Sequence, residues 1–374
     1  MTSWRETIAV AFGPGLFAGV TYGDWLRMLR DNRFAIHPRY WIRASVITQY
    51  SLMNSIIAWR ERRRFGEEVE NQVVQPPLFI LGHWRSGTTY LHNLLSLDNR
   101  YAFPNAFQVA FPHTFLSAEG GSNYKLLRFF MPRKRPMDNM QLSLTVPWED
   151  EYATCTASAT SSYMGPVFPK RLEHYDRYMT FRGVPTEEVA RWQASLILLL
   201  QKLTFKYRRP LILKSPPHTG RIRLLLEMFP NAKFIHIHRN PIDVFQSTRH
   251  QTDVMLRWYE LQRFPRDKID DWIIHRYREM YDAFFEERSL IPAGCFHEVG
   301  FDDLDSHPLT TMQSIYDALN LPAFNQIEPK LRDYAAGQAG YRKNVFAELP
   351  RALWDRVTND WHRAFAEWGY TCES

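Results

Sequence analysis

The chain has 374 residues, of which 45% are hydrophobic and 23% charged. At roughly 150 residues per domain, that allows two or three domains, or one large α/β domain with additions. The composition excludes a disordered chain, a collagen-like repeat and a polytopic membrane protein. Lys and Arg number 46 against 40 Asp and Glu, a net charge of +6. So mild an excess suits an anionic ligand or an anionic membrane surface, and no nucleic-acid partner is expected, since that needs denser basic runs. Cys155, Cys295 and Cys372 are too few and too scattered for a disulfide framework or a zinc site. A reducing, cytoplasmic compartment is therefore expected, and no metal.

From Thr7 to Gly23 no residue is charged, but the stretch is shorter than a membrane-spanning helix and holds Gly13, Pro14, Gly15, Gly19 and Gly23. It reads as a buried or surface-packed segment, with a peripheral membrane contact as the alternative. Ile42, Val46, Tyr50, Met53 and Ile57 then recur at helical spacing, and Arg60-Glu61-Arg62-Arg63-Arg64 is expected to close that helix. The arginines read as a solvated helix end, or else as a basic collar on anionic lipid. Residues 1–75 thus form a helical N-terminal extension, and Pro76-Pro77 open the main domain over 76–374.

Leu78-Phe79-Ile80-Leu81 is a short apolar run ending at Gly82, as expected of a buried parallel strand. Leu211-Ile212-Leu213, ending at Lys214, and Lys233 to His238, ending at Arg239, repeat the pattern, and Cys295–Val299 is a fourth candidate. Helical patterns over 187–207 and 219–229 separate them. Strands alternating with helices predict an α/β, P-loop-like three-layer fold with a central parallel sheet flanked by helices. Residues 100–185, rich in Pro, Ser, Thr and aromatics, read as an irregular insertion covering one end of the sheet, with Trp148, Phe103, Phe107, Tyr152 and Tyr163 available to line a pocket.

The most informative segment is Gly82-His83-Trp84-Arg85-Ser86-Gly87-Thr88-Thr89, after a strand and before an apolar helix. Such a unit aims several backbone N–H groups at one spot, and the helix start adds partial positive charge. The spacing mimics a Walker A loop, but Thr88 stands where its lysine would be, and the cation has moved to Arg85. The other strands end in Lys214 and in His238-Arg239, not in a Walker-B carboxylate. A magnesium-free anion site built from Arg, Lys and amides is therefore expected. His238-Arg239-Asn240-Pro241 supplies a second one. Asn240 is a good N-cap and Pro241 a good first helical residue. Ser247 follows Arg239 by eight residues, about two helical turns.

Taken together these segments resemble sulfotransferases that use 3′-phosphoadenosine-5′-phosphosulfate (PAPS). Arg85-Ser86-Gly87-Thr88-Thr89 resembles the family's 5′-phosphosulfate loop, and Arg239 with Ser247 its 3′-phosphate segment. Phe301-Asp302-Asp303-Leu304 resembles its Tyr-Glu-Asp-Leu, and Tyr341-Arg342-Lys343-Asn344 a late basic segment over the 3′-phosphate. Pro147-Trp148-Glu149-Asp150-Glu151 resembles an acidic segment of bacterial-type members.

The resemblance covers roughly 76–350 and implies in-line transfer of a sulfuryl group to an acceptor hydroxyl, leaving adenosine 3′,5′-bisphosphate. Arg85 and Lys214 would stabilise charge on the leaving group. Pro216 stands where the cytosolic animal branch has its base histidine. The proton acceptor is thus open between His218 and Glu149 or Glu151. The acceptor itself is a lipid, a glycan or another small alcohol, with a lipid at the inner face of a membrane favoured by the uncharged N-terminal stretch. The alternatives are a P-loop-type small-molecule kinase using ATP, and a non-enzymatic nucleotide binder.

Overall fold

The computed structural model describes residues 13–121, 124–125, 128, 142–338 and 344–371. The chain forms two compact units. One gathers residues 1–74, 104–209 and 252–266; the other gathers 75–103, 210–251 and 267–374. The first unit thus joins residues 1–74 with most of the segment 100–185.

The first unit is built mainly of helices. Its longest is α1, Trp41–Glu70, followed in length by Thr186–Tyr207. Helix α1 does not stop at the arginine run but continues to Glu70. It also buries a different face from the one its apolar spacing suggested: Ile42 and Met53 are exposed, while Arg43, Ala44, Ile47, Ser51, Asn54 and Glu61 are buried. The buried polar side chains have partners, as burial favours. Arg43 donates to the carbonyls of Glu260 (2.9 Å) and Arg257 (3.1 Å). Asn54 donates to those of Ala18 (2.8 Å) and Val20 (3.1 Å). Glu61 pairs with buried Lys202 at 2.6 Å. Within the uncharged N-terminal stretch Leu16, Phe17, Ala18 and Val20 are buried, while Gly15, Tyr22 and Gly23 are exposed. A Cβ on Gly19 would lie 2.1 Å from the Ala110 carbonyl oxygen. Residues 100–185, expected to be irregular, contain the short helices Ala106–Ala110, Phe115–Ala118, Glu151–Ser158 and Leu172–Asp176.

The second unit holds the sheet. Its strands are β1 (Leu78–Leu81), β2 (Ile212–Lys214), β3 (Lys233–His238) and β4 (Phe296–Gly300), in the order β2-β1-β3-β4. All pairings are parallel, with Leu78 opposite both Ile212 and Lys233, and Phe234 opposite Phe296. β1 is buried along its whole length, which is why it reads as an uninterrupted apolar run. One face packs Ile80, Ile212, Ile235 and Ile237 against Leu91, Leu94 and Leu95 of helix α2 (Thr88–Leu95), and against Met312 and Ile315. On the other face Phe79 stacks on Phe234 at 5.4 Å, and His236 stacks on Phe284 of the Ile269–Glu287 helix at 4.2 Å. The result is the expected three-layer α/β arrangement.

Candidate functional site

Strand order reverses between β1 and β3: the chain leaves β1 for one side of the sheet and β3 for the other. In open parallel sheets the crevice at such a switch point, beyond the carboxyl ends of the strands, is where ligands bind. The residues that follow β1 and β3 are the two segments singled out above.

After β1, Gly82 (φ +142°) and Gly87 (φ +98°) adopt backbone conformations that favour glycine, and Arg85 (φ +71°) joins them. A Cβ on Gly87 would lie 2.3 Å from Cδ2 of Phe301, so the loop has no room for a side chain there. The turn is tied on every side. Ser86 Oγ donates to the His83 carbonyl (2.7 Å), the Gly82 amide donates to Thr219 Oγ1 (2.8 Å), and the His83 amide donates to the Tyr281 hydroxyl (3.2 Å). His83 is fully buried, and its Nδ1 is 2.8 Å from the Trp84 carbonyl, so that nitrogen carries the proton. Burial lowers its pKa to about 3, and the nearby Arg276 guanidinium acts in the same direction. Thr88 then opens α2 with Gly87 as its N-cap.

After β3, Asn240 Oδ1 accepts from the Ile242 amide (2.9 Å) at the start of helix α3, Pro241–Tyr259. This is the cap its sequence predicts. Arg239 pairs with Asp243 at 2.9 Å, one turn on, and its guanidinium lies 4.6 Å over the Phe301 ring. Ser247 is buried and accepts a hydrogen bond from Arg85 Nε at 2.8 Å. The segments after β1 and β3, separate in sequence, are thus bonded to each other. Lys214, at the end of β2, is buried with Nζ 3.5 Å from Thr89 Oγ1. The structure therefore brings Arg85, Ser86, Gly87, Thr88, Thr89, Lys214, Arg239 and Ser247 to one sheet edge. Arg342 and Lys343 lie outside the described residues.

The candidate bases fall in different surroundings. His218 is fully buried in the Pro216–Gly220 turn, edge-on to Phe79 at 5.3 Å. Glu151 is fully buried at the start of its helix and accepts from Ser161 Oγ at 2.6 Å. Glu149 is half-buried and accepts a short hydrogen bond from the Tyr163 hydroxyl. Burial pushes the Tyr163 phenol well above its ordinary pKa, and the Glu149 carboxylate pushes it further, so Tyr163 stays a donor.

Phe301, the first residue after β4, was noted only as part of a motif. It closes against Gly87 on one side and Arg239 on the other. Trp368 and Tyr370 were not foreseen at all. Trp368 stacks parallel on His238 at 5.0 Å, and the Tyr370 hydroxyl is 2.9 Å from His238 Nδ1, so both brace the residue before Arg239. No sequence signal marks them, because they come from the far end of the chain. Among the described residues no group of three or more His, Cys, Asp or Glu is placed to hold a metal.

Fold and loop together define a P-loop-like α/β protein whose glycine loop after β1 carries its cation inside the loop, at Arg85, with Thr88 at the Walker lysine position. Comparison with known proteins narrows this class. The sequence profile of the Sulfotransferase family matches residues 76–326. Omega-hydroxy-beta-dihydromenaquinone-9 sulfotransferase Stf3 of Mycobacterium bovis is 36% identical over 373 residues, covering 99% of this chain and 94% of that protein. The Stf3 of Mycobacterium tuberculosis matches equally. Among solved structures, sulfotransferase STF9 from Mycobacterium avium aligns with a TM-score of 0.66 at 17% identity, covering 93% of this chain and 96% of that one. STF1 from Mycobacterium tuberculosis aligns at 0.63 and 16%, covering 91% of each chain. These two likenesses establish the fold.

The chain belongs to the sulfotransferase family and is an enzyme of sulfuryl transfer. That membership sets aside the kinase and the non-enzymatic readings.

Proposed function

We propose that the enzyme takes its sulfuryl group from PAPS and transfers it to the hydroxyl of a lipid alcohol. The observation that carries the donor assignment is the bond between Arg85 Nε and Ser247 Oγ, 2.8 Å, which links the segments after β1 and β3. A ligand with two separate phosphate positions matches two linked cationic segments better than a nucleotide triphosphate with magnesium does. The glycine-lined turn also fits a phosphate group, since backbone amides can approach it closely where a Cβ would collide. PAPS supplies an activated sulfuryl group on a phosphate oxygen.

The chain's own residues do the rest. Arg85, Ser86, Gly87, Thr88 and Thr89 bind the 5′ side through side chains and amides. Arg239 and Ser247 bind the 3′-phosphate, with Arg342 and Lys343 adding cations. Arg85 and buried Lys214 stabilise the negative charge that builds on the leaving group, which in group transfer is worth more than any bond the protein makes. Of the candidate bases, His218 and Glu151 are fully buried, whereas Glu149 is only half-buried and accepts from Tyr163. Glu149 therefore accepts the acceptor's proton, and His218 and Glu151 serve the structure.

The acceptor assignment rests on likeness to the Mycobacterium relatives, which are named for a hydroxylated dihydromenaquinone. A cytoplasmic location fits the buried, unpaired Cys155 thiol. The test is calorimetric titration with adenosine 3′,5′-bisphosphate without magnesium. Tight binding by the wild type, lost in Arg239→Ala, is expected. Folded wild-type protein that ignores the bisphosphate would sink the donor assignment.

A further inference from the structure

Helix α1 is inverted. Its inward face carries Arg43, Ser51, Asn54 and Glu61 beside Ala44, Ile47 and Val69, while its outward face carries Trp41, Ile42, Leu52, Met53, Ile56 and Trp59. Trp41, Ile42, Ile56 and Trp59 are 63%, 61%, 56% and 58% exposed, so none of the described residues covers most of their surface. At the helix's rotation of about 100° per residue, the six outward residues span an arc of about 120°. From Trp41 to Trp59 that arc is about 27 Å long at 1.5 Å per residue. It holds no charge over this length, the other positions on it being Ser45 and Gln49. An ordinary surface helix has the opposite pattern, and a continuous exposed apolar patch marks an interaction surface.

Charge identifies the occupant. Arg60 and Arg63 continue the same arc on the next turn, with Arg64 beside them, and the Arg63 guanidinium lies 4.9 Å over the Trp59 ring. Before the helix, Arg33, Phe34 and Arg39 are exposed as well. Both ends of the apolar stripe are therefore cationic, and acidic residues on the arc appear only further out, at Glu67 and Glu70. A second copy of the chain, laid on the stripe in either direction, would oppose arginine to arginine. An anionic lipid surface meets the whole pattern: acyl chains for the aliphatic residues, the headgroup boundary for the two tryptophans, and phosphates for the arginines. Among the described residues no helix is long and apolar enough to cross a membrane, so α1 lies along the surface.

We propose that the outward face of α1 docks the enzyme on an anionic lipid bilayer. The proposal draws on neither the donor nor the acceptor assignment, and vesicle binding is measured without either ligand.

The test is co-sedimentation of the full chain with vesicles of phosphatidylglycerol and phosphatidylcholine in equal parts, and with pure phosphatidylcholine vesicles. Wild type sediments with the mixed vesicles and at least tenfold more weakly with the neutral ones. Ile42→Glu combined with Ile56→Glu cuts binding to the mixed vesicles at least tenfold and leaves the melting temperature unchanged, both side chains being exposed. Arg60→Ser with Arg63→Ser removes the preference for phosphatidylglycerol. Wild type left in the supernatant, or a double-Glu variant that sediments like wild type, overturns the proposal. So does a dimer in sedimentation velocity that the double-Glu variant dissolves while wild type ignores vesicles, because a second copy then owns the stripe. A large fall in the double-Glu variant's melting temperature overturns it too, because the chain itself then covers the stripe.

Discussion

Ser247→Ala removes one hydroxyl from helix α3, and the structure says what that costs. The hydroxyl is buried and accepts from Arg85 Nε at 2.8 Å. A hydrogen bond to a charged group contributes about 1.5–3 kcal/mol. At 1.4 kcal/mol per decade, bisphosphate affinity falls about 10- to 150-fold. The substitution by itself does not separate a lost contact to the phosphate from a lost grip on Arg85. A double-mutant cycle with Arg85→Met does, because methionine keeps much of the arginine stem and deletes the donor. If the two residues act as one clamp, their effects fall short of additive by about 1 kcal/mol or more, within the range of directly bonded pairs. Calorimetry on the four proteins, at fixed salt and without magnesium, reads this directly. Losses that add to within about 0.3 kcal/mol, as at independent sites, would show that the bond seen between the segments does not act in binding.

Two further outcomes concern the proposed base and the glycine loop. Glu149→Gln should lower kcat by about 10²- to 10⁴-fold, the usual worth of a general base, with bisphosphate affinity unchanged. Tyr163→Phe should give a smaller fall, and a Glu149→Gln enzyme turning over at the wild-type rate would return the role to His218. The second outcome concerns pH. Burial, reinforced by Arg276, holds His83 at about 3, below its unfolded value of about 6.5, so the unfolded chain binds the extra proton. The stability this contributes is complete above about pH 6.5 and is lost as pH falls toward 3, by about 2 kcal/mol between pH 7 and 5. Urea melts across that window should therefore be flatter for His83→Gln than for wild type, and equal slopes would refute the reading.

Much of this enzyme could be read from residue order alone. Strands buried on both faces favour apolar residues, so β1 and β2 announced themselves as short runs ending at Gly82 and Lys214, while β3 with its histidines and the only partly buried β4 with His297 and Glu298 gave a weaker pattern. The anion loop was legible for a related reason. Backbone that must approach a ligand closely needs glycine at set positions, and the N-cap of α3 needs a short polar side chain such as Asn240.

Tertiary structure decided what depends on residues distant in the chain. That Arg85 donates to Ser247, that Phe301 fills the space beside Gly87, and that Trp368 and Tyr370 brace His238 are pairings over long separations. Local pattern carries no trace of them. The same limit explains the reversal of α1. Helical spacing marks an apolar row but not which side of it faces the protein, and here the buried side is polar because Glu260, Ala18, Val20 and Lys202 supply its partners. Likewise, composition proposed His218, Glu149 and Glu151 on equal terms. Their burial is a tertiary matter too: His218 and Glu151 are fully buried and Glu149 is half-buried, which is the ground on which we propose Glu149.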